Sequence, residues 1–248
     1  MKILGSDYDG TLTVGGIDEA KCEAIRRWRK SGNIFGIVSG RGPSYMSRLR
    51  DQYPDLEMDF FAAYNGAIIL DACGNTIDDT KCNDVSAAEL SAALYGWGCP
   101  FVYVNGVHSY TTQKNGAPLQ GKECRLSGPP QDFPYFHQVS VQLNTPAEAA
   151  AVTEKIRAAY GDRLNPLQNN VCIDIVASKV NKAYGLRRVA ALFGGNEADI
   201  IAVGDNVNDL DMLKAFRSYA MENGVVEAKT VATQMVTSVT EVIFYELG

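Results

Sequence analysis

Histidine is scarce in this chain: there are two in 248 residues, against 29 acidic and 23 basic side chains. So little imidazole argues against a histidine-based metal site. The six cysteines (Cys22, Cys73, Cys82, Cys99, Cys124, Cys172) are scattered and form no Cys-x-x-Cys pair, which argues against structural zinc and for reduced thiols. No apolar run approaches the roughly 20 residues that a membrane-spanning helix needs. The opening residues, Met1-Lys2-Ile3-Leu4-Gly5-Ser6-Asp7, reach an acidic side chain too soon for a secretory signal. Positive charge is also in deficit. A net charge of -6 argues against a broad nucleic-acid surface, which needs clustered Lys and Arg. The chain therefore reads as cytoplasmic, with no membrane or nucleic-acid partner, and nothing in it fixes an oligomeric state.

What is present is an ordinary globular composition, 46% hydrophobic and 21% charged, enough for one large core or two smaller ones. Short apolar runs alternate with helical patterns in the N-terminal part, as parallel strands joined by helices require. Lys2 to Ser6 and Asn33 to Ser39 read as strands. Between them Asp18 can cap a helix whose Cys22, Ile25 and Trp28 share one face, with Gly32 ending it. Phe60 to Tyr64 and Ala67 to Leu70 read as a hairpin across Asn65-Gly66.

From about Lys81 the order changes to helix, strand, strand, twice over. A separate small sheet with helices on one face explains that half-repeat. Helices are expected over Val85 to Trp97 and Pro146 to Tyr160. The expected strands are Phe101 to Asn105, Ser109 to Gln113, Gln138 to Leu143, Arg163 to Leu167 and Cys172 to Val176. The Gly- and Pro-rich stretch from Asn115 to Pro134 reads as a surface loop. After Lys179 the first pattern returns, with a helix over Lys182 to Phe193 and a buried strand at Ile200 to Val203.

Four places carry chemistry. Asp7-Tyr8-Asp9-Gly10-Thr11 follows the first strand, at the end of a parallel sheet where ligands bind. Two carboxylates so close can converge on one ligand, although acidic turns are also common without one. Gly204-Asp205-Asn206-Val207-Asn208-Asp209 follows the strand at Ile200 in the same way. Magnesium prefers oxygen ligands, commonly one or two carboxylates with water and phosphate, and Asp7 and Asp205 suit that taste. Ser39-Gly40-Arg41, after the second strand, offers a hydroxyl and free N-H groups to a phosphate oxygen. Lys182 stands at a helix start, where the helix dipole disfavours a cation.

In order and context these four places resemble the motifs of the haloacid dehalogenase (HAD) superfamily: D-x-D-x-T, a Ser or Thr ending the second strand, a Lys, and G-D-x-x-N-D. Asn65-Gly66-Ala67, Val180-Asn181-Lys182-Ala183 and Met221-Glu222-Asn223-Gly224 with Ala228-Lys229 are similar, more narrowly, to the Cof-type subfamily with a type IIB cap. The resemblance implies an α/β fold: a doubly wound parallel sheet in a Rossmann-like core, residues 1–80 and 179–248, with an inserted α+β cap, residues 81–178. It implies a phosphomonoester hydrolase using Mg2+ on a small phosphorylated metabolite, with sugar phosphates foremost. Asp7 would be the nucleophile that forms an aspartyl-phosphate, and Asp9 the general acid and base. Asp7, Asp205 and the Asp9 backbone carbonyl would hold the metal. Ser39, Gly40, Lys182 and Asn208 would hold the phosphoryl group, supported by Asp209.

One departure stands near the pocket mouth: Gly15-Gly16-Ile17 replaces a longer segment common after the first motif. On the insertion, Asp84, Tyr103, Asn105, His108, Tyr110, His137, Gln142 and Asp174 are candidates to face a substrate, and the sequence assigns none of them. Two other readings stay open. Phosphomutases of the phosphomannomutase kind share the cap and the Asp pair. Receiver-type signalling domains also join acidic residues, a hydroxyl and a Lys on a doubly wound sheet, although Asp9, the insertion and G-D-x-x-N-D speak against that class.

Overall fold

A computed structural model describes residues 1–99 and 135–248 in full and, between them, the backbone of three short strands. In chain order, the first part contains β1 (Ile3–Ser6), α1 (Glu19–Lys30), β2 (Ile34–Val38), α2 (Pro43–Gln52), β3 (Phe60–Ala63), β4 (Ile68–Asp71) and β5 (Thr76–Asp79). The middle part contains α3 (Ala87–Gly96), β6 (Tyr103–Asn105), β7 (Ser109–Thr111), β8 (Glu123–Arg125), β9 (Gln138–Gln142), α4 (Pro146–Tyr160), β10 (Leu164–Asn169) and β11 (Cys172–Ala177). The last part contains α5 (Lys182–Leu192), β12 (Ile200–Gly204), α6 (Leu210–Ala215), β13 (Arg217–Met221), α7 (Val226–Val231), β14 (Gln234–Val236) and α8 (Val239–Leu247).

The first sheet has eight strands in the order β14-β13-β12-β1-β2-β3-β4-β5. Pairing is parallel from β14 to β3, and β4 and β5 add an antiparallel edge. Its central strands are buried on both faces, so they read as continuous apolar runs. Alternate residues divide between two cores: Leu4, Ile201 and Val203 pack with Ile25 and Trp28 of α1, whereas Ile3, Ile200 and Ala202 pack with Leu186 and Val189 of α5. Helices thus cover both sides, as the doubly wound reading requires. Asp18 caps α1 by accepting from the Lys21 N-H at 2.9 Å, a contact worth about 1 kcal/mol.

The chain switches direction across β1, which lies between β12 and β2. The segments that leave their carboxyl ends, beginning at Asp7, Ser39 and Asp205, therefore meet at one crevice. A tight turn at Tyr64–Gly66 fixes a fourth wall. It has three successive positive φ angles (50°, 56° and 94°), and a Cβ added at Gly66 would lie 2.7 Å from Gly185 Cα. That backbone contact, open only to glycine, draws the start of α5 against the turn.

The second sheet has six strands in the order β10-β11-β9-β6-β7-β8, antiparallel except for the parallel pair β7 and β8. Its helices lie on one face, as expected: Leu90 of α3 and Val152 and Ile156 of α4 share a core with Val139, Val141, Ile173 and Ile175. Strand alternation sends Gln138, Ser140 and Asp174 to the other face. One expectation needs correction here: the stretch from Asn115 to Pro134 is not wholly loop, because Glu123–Arg125 pairs with β7. A parallel strand can form there because its hydrogen bonds come from the backbone and need no apolar run. Among the described residues no helix is long and apolar enough to cross a membrane, and Cys22, Cys73, Cys82, Cys99 and Cys172 are free thiols.

Candidate active site

Asp7 is the first residue beyond β1, and its N-H donates to Val203 O at 2.9 Å, so the sheet ladder itself holds the backbone. The following turn, Tyr8–Leu12, depends on Gly10 at φ 78°. A side chain there would be strained and would also bring its Cβ to 2.5 Å from Asp205 Oδ2. Asn223 donates to Gly10 O at 2.9 Å, and Thr11 Oγ1 donates to Asp205 Oδ1 at 2.6 Å. These bonds tie the turn after β1 to the turns after β13 and β12 respectively.

Lys182 is fully buried at the start of α5, where the Asn181 side chain caps the helix. Its ammonium donates to Asp7 Oδ1 at 2.7 Å and Asp209 Oδ1 at 2.5 Å. The helix dipole disfavours a cation at this end, and the two carboxylates outweigh it. Burial alone would pull the ammonium down; Asp209 and Asp7 overcome that and hold it above its ordinary range. The other Asp209 oxygen accepts from the backbone N-H groups of Asp205 and Asn206, each at 2.9 Å. Both oxygens of Asp209 are thus engaged within the protein, which makes it a brace for Lys182 and for the Asp205 turn.

Asp7, Asp205 and Asp209 lie with one carboxylate oxygen each within 4.8 Å of one another, all buried. Burial pushes the Asp7 carboxyl up to about 8, against the pull of Lys182, and raises Asp205 as well. A cation beside them would favour the ionised forms. Hard carboxylate oxygens around a small volume are a donor set that Mg2+ fits and that softer metals do not prefer.

The other expected residues divide. Ser39 is buried at the end of β2, with its Oγ accepting from the Arg41 N-H at 3.2 Å, and Gly40 stands beside it. Asn208 Oδ1 is buried and has no hydrogen-bond partner among the described residues. Asp9 does not converge with Asp7: its carboxylate turns outward, about half exposed, and takes both Nε (2.6 Å) and Nη2 (2.8 Å) of Arg41. The Arg41 guanidinium sits 4.1 Å from the Tyr45 ring centroid, a cation-π contact that fixes the fork. Arg41 was visible only as the third residue of Ser39-Gly40-Arg41.

Lys21 is a second residue that local pattern missed. It is buried, and its ammonium donates to Leu12 O and Val14 O, each at 2.8 Å, and to Gly16 O. It therefore pins the short Gly15-Gly16 loop, and burial lowers its ammonium from the usual range. A lysine at the first turn of an amphipathic helix reads as a surface residue, so no local signal marks it.

Of the candidates on the insertion, Asp174 reaches the crevice, accepting from Ser140 Oγ at 2.8 Å and Asn65 Nδ2 at 3.0 Å. His137 does not: it is buried just before β9, with Nε2 2.8 Å from Asp79 Oδ2. Asp84 and Gln142 are exposed on the surface. The side chains of Tyr103, Asn105 and Tyr110, and all of His108, lie outside the described residues.

Carboxylates and a buried lysine thus line a crevice at the switch point of a doubly wound sheet. Residues 4–244 match the family model for haloacid dehalogenase-like hydrolases. A Buchnera aphidicola protein (subspecies Acyrthosiphon pisum), provisionally named phosphatase BU028/BU029, is 45% identical over 239 residues, covering 90% of this chain and 85% of that one. A haloacid dehalogenase-like hydrolase of B. subtilis superposes with a TM-score of 0.85 at 19% identity over 99% of both chains. The subclass IIB sugar phosphatase BT4131 does so with 0.80 at 18% identity, again over 99% of both. At such low identity those two structures establish the fold alone. The chain belongs to the haloacid dehalogenase-like hydrolases.

Proposed function

We propose that the protein is a Mg2+-dependent phosphomonoester hydrolase acting on a small organic phosphate, with sugar phosphates foremost, through an aspartyl-phosphate on Asp7. The observation that carries this reading is the buried Lys182 bridging Asp7 and Asp209 beside Asp205. Phosphoryl transfer asks little covalent work of a protein beyond aligning the attack and neutralising charge on the phosphoryl oxygens. Asp7 and Asp205, with the Asp9 carbonyl, hold the metal, whose contribution is to offset the repulsion between two anions.

Within that frame the chain's own residues divide the work. A carboxylate oxygen of Asp7 attacks phosphorus, and the ester oxygen leaves with a proton from Asp9. Asp9 then takes a proton from water, which attacks the same phosphorus and frees phosphate and the Asp7 carboxylate. Lys182, Ser39, the Gly40 N-H and Asn208 hold the phosphoryl oxygens. Asp209 keeps Lys182 in place. Residues 81–178 serve as a cap that closes over residues 1–80 and 179–248, excluding bulk water from the site.

The test is release of inorganic phosphate from nitrophenyl phosphate and from a panel of phosphorylated metabolites, with Mg2+ and without added bisphosphate. Steady release supports the hydrolase. A requirement for a bisphosphate would favour the mutase, and a long-lived phosphoprotein the signalling domain.

A further inference from the structure

Lys21 is only 5% exposed although it stands in the first turn of α1, on a side chain long enough to reach water. Taking a cation out of water costs free energy, and the dipole of α1 disfavours it further at this end. An ammonium has three hydrogens, and three carbonyls of one short segment take them: Leu12 O and Val14 O, each at 2.8 Å, and Gly16 O. Successive positive φ angles at Gly15 and Gly16, 72° and 84°, turn the chain back so that these oxygens converge. The donors of a buried cation are thus committed to the backbone of five residues.

That segment is the far end of the turn that carries Asp9. Asp7 O accepts from the Leu12 N-H at 3.2 Å and Tyr8 O from the Thr13 N-H at 3.1 Å, so two backbone bonds span Asp9 and Gly10. Leu12 joins Asp7 through its N-H and Lys21 through its carbonyl. Within the span the helical winding breaks: Asp9 (φ -75°, ψ 124°) and Gly10 (φ 78°, ψ -6°) both depart from helical angles. A residue at such a break takes its place from the bonds on either side of it. On one side the sheet holds Asp7, through its N-H bond to Val203 O; on the other, residues 12 to 16 are held by Lys21. Thr11 and Gly10 are also tied, to Asp205 and Asn223, so loss of the ammonium loosens the turn without melting it.

We infer that Lys21 is a positioning residue for proton transfer: by gathering these three carbonyls it fixes the turn that bears Asp9, and so governs turnover of poor leaving groups without touching the substrate. This rests on the phosphatase reading above, with Asp9 as the acid and base. Nucleophilic attack depends on Asp7, whose backbone the sheet ladder holds. Proton transfer depends on Asp9, two residues further along and beyond the reach of that ladder. A small misplacement of a catalytic group costs rate steeply, so the step served by Asp9 suffers first when residues 12 to 16 shift. A lysine that only held the fold would, in a folded variant, cost good and poor leaving groups alike.

The experiment measures kcat on nitrophenyl phosphate and on the best alkyl phosphate of the metabolite panel, in saturating Mg2+. It compares the wild type, Lys21→Met, Lys21→Arg, Asp9→Asn and the double variant Lys21→Met with Asp9→Asn, each at a temperature where circular dichroism shows it folded. Lys21→Met keeps the apolar stem and removes the donors; its loss on the alkyl phosphate should exceed its loss on nitrophenyl phosphate by about tenfold or more. Lys21→Arg keeps the charge but spreads its donors over a planar fork, so it should show the same bias more weakly, and it reports even if Lys21→Met fails to fold. In the Asp9→Asn background the extra loss on the alkyl phosphate should vanish, because the two residues act on one step. Equal proportional losses on both substrates in the folded Lys21 variants, or losses that multiply in the double variant, would overturn the inference while leaving the phosphatase standing. No phosphate from either substrate with the wild type would overturn the phosphatase reading itself.

Discussion

Arg41 grips both carboxylate oxygens of Asp9, Nε at 2.6 Å and Nη2 at 2.8 Å, and thereby holds the expected general acid away from Asp7. A bidentate guanidinium holds the Asp9 carboxylate turned outward, whereas proton donation to the leaving group requires it turned inward. Asp9 therefore has to leave Arg41 before it can serve the leaving group. Arg41→Gln should raise the ratio of kcat on alkyl phosphates to kcat on nitrophenyl phosphate, since only the former depends on that proton. An unchanged ratio would show that the pair imposes no barrier. Stability should change by no more than about 1 kcal/mol, because the pair is half exposed.

Asp9→Asn removes the acid and base outright. The loss in kcat should be roughly 10² to 10⁴ on alkyl phosphates and distinctly smaller on nitrophenyl phosphate, whose leaving group needs no proton. Equal losses on the two would count against the role assigned to Asp9.

Metal dependence can be read on folding as well as on activity. With Mg2+ at about a hundred times its Kd, binding should add roughly 2.7 kcal/mol to stability, and each kcal/mol should raise Tm by about 2–4 °C in a chain of this size. Asp205→Asn should lose most of that rise, and EDTA should stop turnover of the wild type. A Tm indifferent to Mg2+, together with activity in EDTA, would remove the metal from the account.

His137 predicts a pH dependence of stability. Burial lowers its imidazolium below the ordinary 6.5, with Asp79 partly opposing and Lys81 assisting. The unfolded chain therefore binds more protons than the folded one between the two values. This contribution is complete above about pH 6.5 and is lost as the pH falls toward the folded value. Asp79 itself is held below its usual 3.8 by His137, so its own contribution is lost only in a more acid window. The drop in Tm between roughly pH 7.5 and pH 5.5 should be smaller in His137→Asn than in the wild type. An equal or larger drop in the variant would contradict the assignment.

The strands that build the crevice were legible because burial on both faces forces continuous apolar runs, as at Ile200 to Val203. Their carboxyl ends then marked Asp7, Ser39 and Asp205. Lys182 was legible as a cation at the wrong end of a helix. Other features leave no local trace. Arg41 meets Asp9 across 32 residues, and Lys21 turns inward from a helix start to gather carbonyls. Asn65 could be seen only as a turn residue, since its partners Gln138 and Asp174 come from the other sheet. The edge strand Thr76–Asp79 is mostly exposed and polar, so it shows no alternation to read.

The stereochemical course at phosphorus tests the central claim most directly. A substrate made chiral at phosphorus with oxygen isotopes would be hydrolysed in isotopically labelled water and the configuration of the released phosphate determined. Two successive displacements, one by Asp7 and one by water, give net retention. Net inversion would mean a single direct attack by water and would contradict an aspartyl-phosphate on Asp7.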